Sequence, residues 1–270
     1  MKQTTSSKDQ QKGWQRKATA YDEISLPATS QAFAPLLDSI GTLRGLRVLE
    51  LASGTGHLAE QAVARGATVV GVDIAPEMVE KARRRVPAGA EFFQGDGEEL
   101  SFEEQSFQAV LCSFGFLHFA HPEQGLREAA RVLKPGGCCA FTVWQAPEQG
   151  NEFFQLIMGA YRTRIKPEPG SPPSLFGLAD PEVHRPMLSQ AGFTDIHHQE
   201  LEINWPLNGP ETLFEFALKG GVRTRMLYEQ QPAAIRQAIR KALISGAQSY
   251  LTAGKTAVPC PAVLVRARKP

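Results

Sequence analysis

At 270 residues the chain is too long for a peptide scaffold and suits one globular domain with insertions, or two small domains. A hydrophobic fraction of 42% beside 21% charged residues, with 24 Gly and 19 Pro scattered and not repeating, excludes collagen-like, fibrous and disordered classes. The formal net charge of +1 supplies no global field for nucleic acid or an anionic membrane, and no window approaches the roughly 20 apolar residues of a membrane helix. Residues 1–20 read as a polar tail without the apolar core of a secretion signal. Cys112, Cys138, Cys139 and Cys260 form no C-x-x-C pair and sit in apolar stretches, so they are expected to be buried free thiols of a reducing cytoplasm.

From Leu46 to Trp144 short apolar runs alternate with helical periodicity, the pattern of βαβ units around a parallel sheet. Strand Leu46–Leu51 is followed by the loop Ala52-Ser53-Gly54-Thr55-Gly56. A helix then covers His57–Arg65, with Leu58, Ala59, Ala62 and Val63 on one face and Gly66 at its end. Strand Thr68–Val72 finishes at Asp73, and Pro76 opens a second helix. Strand Ala90–Gln94 stops at Gly95-Asp96-Gly97, and strand Phe107–Cys112 ends in Ser113-Phe114-Gly115-Phe116-Leu117-His118. A helix from Pro122 carries Leu126, Ala129, Ala130, Val132 and Leu133. Lys134-Pro135-Gly136-Gly137 stops it before a fifth strand, Cys138–Val143.

Four prolines between Lys166 and Pro173 forbid helix or central strand there, and residues 145–180 are expected to form a lid. A helix follows from Asp180-Pro181 to Ala191, capped by Gly192, and Phe193–Trp205 alternates as a strand. Pro210 to Gly254 is helical in character, with Ile235, Ala238, Ile239, Ala242 and Leu243 as one stripe, and Ala262–Ala267 is the last strand. The expectation is one α/β domain over residues 21–270, Rossmann-like, with a seven-stranded, mostly parallel sheet. Its cofactor core spans residues 46–144, and a helical insertion on the acceptor side, residues 207–257, precedes the last strand.

Open parallel sheets collect ligands beyond the carboxyl ends of their strands. Gly54 and Gly56 let the main chain approach a ligand, and the helix from His57 aims free N–H groups at the same place. Asp73 lies 19 positions beyond Gly54, where a carboxylate accepts from both hydroxyls of a ribose. Asp96, one strand further out, is placed to accept from an exocyclic adenine amine. Three strand ends thus describe an adenosine-shaped pocket. Gly54-x-Gly56-x-x-Ala59 alone fits a dinucleotide fingerprint as well as an S-adenosylmethionine loop.

Further features narrow that choice: Glu50 before the loop, Gly95-Asp96-Gly97-Glu98-Glu99-Leu100, the strand Phe107-Gln108-Ala109-Val110, and Arg131-Val132-Leu133-Lys134-Pro135-Gly136-Gly137. Together they resemble the class I S-adenosylmethionine-dependent methyltransferases of the ubiquinone and menaquinone biosynthesis type, most clearly over Arg47–Trp144. The family's acidic-x-Gly-x-Gly-x-Gly motif stands here as Glu50-x-Ala52-x-Gly54-x-Gly56, with Ala52 in place of a glycine, and Gln108 replaces a usual aspartate. The resemblance implies that Glu50 and the backbone from Ala52 through Ser53 and Gly54 to Gly56 meet the amino-acid part of S-adenosyl-L-methionine. It further implies Asp73 on the ribose, Ile74 and Met78 beside the adenine, Asp96 and Gly97 around its amine, and Ser113 at the mouth where the methyl passes.

The reaction expected from this resemblance is methyl transfer to oxygen, nitrogen or carbon of a small organic acceptor, in which the protein supplies alignment and a dry site. His118 is the candidate base. Tyr21, His118, Trp144 and Phe176 are the candidate acceptor contacts. Phe153, Phe154 and Tyr161 surround the same region, and Trp14 joins Tyr21 as a cap. No metal is expected, because adjacent His197 and His198 in a strand point to opposite faces. The basic stretch Lys219–Lys269 carries no RNA-binding signature, so a nucleic-acid partner is not expected. Two rivals share the adenosine-shaped pocket. One is an NAD(P)-dependent oxidoreductase, against which stands the absence of a Tyr-x-x-x-Lys pair; the other is a non-catalytic adenosyl-ligand binder.

Overall fold

The structure, a computed structural model, describes residues 13–14, 20–165 and 176–270. The proline-rich part of the expected lid and most of the N-terminal tail lie outside the described residues. Strands β1 (Arg47–Leu51), β2 (Thr68–Asp73), β3 (Ala90–Gln94), β4 (Phe107–Ser113) and β5 (Leu133–Trp144) pair in parallel. Strand β6 (Thr194–Leu201) and strand β9 (Ala262–Arg268) complete a seven-stranded sheet of order β3-β2-β1-β4-β5-β9-β6, in which β9 runs antiparallel to both neighbours. The chain moves outward from β1 through β2 to β3, then returns to β4 on the other side. The crevice of a doubly wound sheet therefore opens above β1 and β4.

Strands β1 and β4 are buried at most positions because both faces are covered. Period-two geometry sends Leu49, Leu51, Val110 and Cys112 to one face, against Leu126 and Ala129 of the helix Pro122–Val132. Val48, Ala109 and Leu111 go to the other, with Leu36, Leu37, Leu58 and Ala62. The edge strands β3 and β6 are mostly exposed.

Two expected elements are redrawn. The helix from Pro122 ends at Val132, since Pro135 offers no N–H for another turn, and Leu133 is already extended and paired with Phe107. The fifth strand thus starts at Leu133; Gly136, at φ 76°, lets Lys134–Gly137 bulge, with Gly136 N–H donating to Lys269 C=O. The strand expected over Phe193–Trp205 is two. Thr194–Leu201 stays in the main sheet, while β7 (Asn204–Pro206) leaves it to pair with β8 (Ala257–Pro259), carrying Trp205 toward the crevice. Between β7 and β8 lie helices Thr212–Glu215, Val222–Glu229 and Ala233–Thr252, with one π-helical turn at Phe216–Gly220. Of the expected stripe on the long helix, Ile239 and Leu243 are buried, joined by Ala247, while Ile235 and Ala242 pack against the same core.

Candidate active site

After β1 the chain turns through Ala52, Gly54 and Gly56, all at positive φ (51°, 53° and 83°). Ser53 N–H donates to Val72 C=O at 3.0 Å, which moors the loop to the end of β2. Ala52 holds the left-handed conformation at a cost of about 1 kcal/mol for a residue with a Cβ. Its methyl occupies the space that Gly115 leaves open, since a Cβ on Gly115 would come within 2.6 Å of it. The departure from glycine at position 52 is thus matched by glycine at 115. Gly56 has a different task from the one expected. A Cβ there would meet Cα and Cβ of Ala82 at 3.0 Å, so Gly56 seats the helix Pro76–Arg85 against the loop and does not line the crevice.

One continuous crevice runs over these strand ends, lined at one end by Ala52, Gly54, Asp73, Ile74, Met78, Asp96, Gly97 and Ser113. Asp73 ends β2. Its Oδ2 accepts from Gly54 N–H at 2.8 Å and its Oδ1 from Ala75 N–H at 2.9 Å. A carboxylate has about four acceptor sites, so two remain for a ligand. Burial raises its pKa to about 6, and those two N–H groups hold it from rising further. Glu50 and Ser53 are buried behind the wall instead of on it. Glu50 Oε2 and Ser53 Oγ have no hydrogen-bond partner. Burial, then the charge of Asp73, pushes the Glu50 carboxyl well above the usual carboxylate range, against one stabilising contact from Ala59 N–H.

Asp96 faces the crevice, with Oδ1 accepting from Glu98 N–H at 3.0 Å in a tight turn. Glu98 Oε1 in turn accepts from Ala120 N–H at 2.6 Å and His121 N–H at 3.0 Å. The loop after β3 thereby fixes the loop after β4, which carries His118.

The other end of the crevice is aromatic. Phe114 stacks on Trp144 with centroids 4.0 Å apart, and Phe154, Phe176, Trp205 and Phe216 continue the wall. Phe153, stacked behind Trp205 at 4.1 Å, and Tyr161, bonded to Thr224 C=O, support it from outside. His118 sits where the two halves meet, edge-on to Trp14 with centroids 4.7 Å apart. Tyr21 borders the same place. Its hydroxyl shares a 3.3 Å hydrogen bond with Thr29, and burial, augmented by the charges of Asp22, Asp73 and Glu50, pushes its pKa to about 12. Tyr21 therefore keeps its proton and borders the crevice as a neutral ring.

Residues 48–137 match a family of methyltransferase domains. Over 192 residues the chain is 32% identical to a demethylmenaquinone methyltransferase of Clavibacter sepedonicus, across 67% of this chain and 76% of that protein. The chain belongs to the class I S-adenosylmethionine-dependent methyltransferases. Within them it falls in the ubiquinone and menaquinone type branch. Among solved structures the methyltransferase shares its fold with YcgJ of Bacillus subtilis, at a TM-score of 0.60 and 20% identity over 89% of this chain and 98% of that one. It also shares it with phosphoethanolamine N-methyltransferase 2 of Haemonchus contortus, solved with S-adenosylhomocysteine, at a TM-score of 0.54 and 22% identity over 88% of this chain and 52% of that one. The methyltransferase uses S-adenosyl-L-methionine to methylate a small-molecule acceptor, and neither rival reading is favoured.

The residues present fit that cofactor. Two carboxylates are buried here, Glu50 with an oxygen left unpartnered and raised further by the charge of Asp73, and no cation among the described residues shifts either, so a ligand carrying positive charge suits the place. The structure brings Ala52, Gly54, Asp73, Ile74, Met78, Asp96, Gly97, Ser113, His118, Tyr21, Trp144 and Phe176 to one crevice; Glu50 and Ser53 lie behind it and Gly56 beside it. Sequence reasoning missed Phe114, Trp205, Phe216 and Thr224. Trp205 was legible only once its strand was seen to leave the main sheet.

The remaining features fall outside the crevice. All four cysteines are buried, and burial raises each thiol. His197 is exposed and pairs with Asp195, whereas His198 stacks on buried His184 on the opposite face. Within the basic stretch, Lys219, Arg225, Arg240, Arg266 and Arg268 pair with Glu215, Glu229, Glu211 and Asp195. Among the described residues no helix is long and apolar enough to cross a membrane.

Proposed function

We propose that this methyltransferase acts on a planar, largely apolar ring compound bearing an acidic O–H or C–H, bound with its ring against Phe114, Trp144, Phe154 and Phe176. The observation that carries this reading is the continuity of one crevice from the carboxylates of the strand ends to an aromatic cage, with His118 at the junction. A quinone-derived ring suits the cage, and it is the acceptor class in the name of the Clavibacter sepedonicus relative. In this reading Asp73 receives the ribose hydroxyls, Ile74 and Met78 flank the adenine, Asp96 and Gly97 meet its amine, and Glu50 neutralises the ammonium group. Ala52, Ser53 and Gly54 shape the path of the amino-acid part.

Bound S-adenosyl-L-methionine supplies a methyl group already activated on a cationic sulfur. The chain itself supplies alignment and exclusion of water, through the aromatic walls and through Tyr21 and Ser113 at the mouth. His118 would accept the proton that the acceptor gives up on methylation. Residues 46–144 serve as the cofactor core, residues 207–257 as the acceptor side and residues 145–180 as the lid, in a protein that works in the cytoplasm. The test is incubation with methyl-labelled cofactor and separate pools of reduced quinones, small amines and RNA. Label entering the reduced quinones is expected; label entering only amines or RNA refutes the acceptor assignment.

A further inference from the structure

A partly buried polar cluster stands beside the crevice without lining it. Asp22 Oδ1 accepts from Thr55 Oγ1 at 2.6 Å, and its Oδ2 accepts from Arg85 Nη2 at 3.1 Å. Arg85 Nε also donates to Thr55 C=O at 2.9 Å, closing a ring of three residues. His57 Nε2 lies 3.4 Å from Asp22 Oδ1, an ion-pair separation without hydrogen-bond geometry. The members come from three elements: Asp22 from the short helix Tyr21–Ile24, Thr55 from the glycine loop, and Arg85 from the end of the helix Pro76–Arg85. Thr55 is 1% exposed, whereas the Asp22 and Arg85 side chains are each 28% exposed. The ring therefore has a buried root and a wetted edge.

We propose that Asp22 is a positioning residue that latches the N-terminal helix across the cofactor crevice, and that opening this latch governs how fast the spent cofactor leaves. Tyr21, the preceding residue, is the wall that this helix presents to the crevice, with its hydroxyl on Thr29 and its ring against Trp14. A cofactor seated on Gly54 and Asp73 lies beside that wall, since Tyr21 lines the same crevice as both. Lifting the wall requires parting Asp22 from Thr55 and Arg85. Charge-assisted bonds with a wetted edge hold a segment in place and still open on the timescale of turnover. The latch is built into the cofactor loop itself, so seating of the loop and closure of the helix are one event.

The test uses Asp22→Asn, which keeps an acceptor for Thr55 and loses the charge facing Arg85, and Thr55→Val, which removes the hydroxyl at constant shape. Hydrogen exchange of residues 20–32 is read in the cofactor-free protein, and dissociation of S-adenosylhomocysteine is followed by stopped-flow tryptophan fluorescence. Each variant is expected to raise exchange in that segment and to speed dissociation at least fivefold. The double variant is expected to be no faster than the quicker single one, because both break one latch. Three outcomes overturn the proposal: dissociation unchanged while exchange rises, rate effects that multiply independently, or exchange rising throughout the sheet as in a mere structural brace. Wild-type protein that fails to bind S-adenosylhomocysteine at all refutes the crevice assignment before any variant is made, and the proposal with it.

Discussion

Replacing Asp73 by asparagine is expected to cost stability at low pH and to become nearly harmless at high pH. The carboxyl is 8% exposed, and its pKa is raised from 3.8 to about 6 by burial. A carboxyl that holds its proton more tightly when folded loses stability as pH rises from the unfolded value through the folded one. The separation between 3.8 and about 6 corresponds to about 3 kcal/mol, of which about 1.4 kcal/mol is lost between pH 5 and pH 8. The introduced amide keeps one oxygen for either Gly54 N–H or Ala75 N–H and turns an NH2 group toward the other. That orphaned donor costs about 1–3 kcal/mol, which at high pH is offset by the penalty of about 3 kcal/mol on the ionised wild-type carboxylate.

The stability deficit of the variant should therefore shrink by about 1.4 kcal/mol from pH 5 to pH 8. Loss of the Asp73 charge also relaxes Glu50, which adds to the recovery at high pH. His57, His184 and His198 all have lowered pKa values and pull the opposite way, but they are common to both proteins and cancel in the difference. Urea denaturation of cofactor-free protein at the two pH values measures it. A deficit that is constant across this window, or that widens with pH, refutes the assignment of Asp73 as a buried carboxyl lacking a compensating cation.

Gly56→Ala places a methyl 3.0 Å from the Ala82 main chain at a φ of 83°, and should lower stability by about 2–4 kcal/mol in thermal or urea denaturation. Gly54→Ala meets open space at φ 53°, so it should cost only about 1 kcal/mol of stability while weakening binding of S-adenosylhomocysteine in a calorimetric titration. His118→Gln should reduce kcat by about 100-fold or more, with the affinity for S-adenosylhomocysteine within about twofold of wild type. Trp144→Phe removes part of the stack on Phe114 and should raise the acceptor KM about tenfold, with little change in cofactor affinity.

The parallel half of the sheet was legible because both mechanisms that make it act locally. Apolar runs such as Val69–Val72 need burial on both faces, and Gly, Pro and Asp punctuate the strand ends that carry the site. Asp73, Asp96 and Gly54 could be placed in one crevice from topology alone, since consecutive parallel strands deliver their carboxyl ends to one edge. What escaped the sequence was everything decided by tertiary packing. The demand on Gly56 comes from Ala82, 26 positions away, so nothing in the loop distinguishes it from Gly54. Trp205 and Phe216 reach the cage only because β7 leaves the sheet and a π-turn follows, and neither event has a periodic signature. The partners of Asp22 lie 33 and 63 positions away and share no motif with it.

A crystal structure of the protein with S-adenosylhomocysteine tests the central claim most directly. The ribose hydroxyls are expected within about 3.2 Å of the Asp73 carboxylate, with the adenine between Ile74, Met78 and Asp96 and the ammonium group drawn toward Glu50. A ligand seated elsewhere, or one that leaves Asp73 bonded only to Gly54 and Ala75, contradicts it.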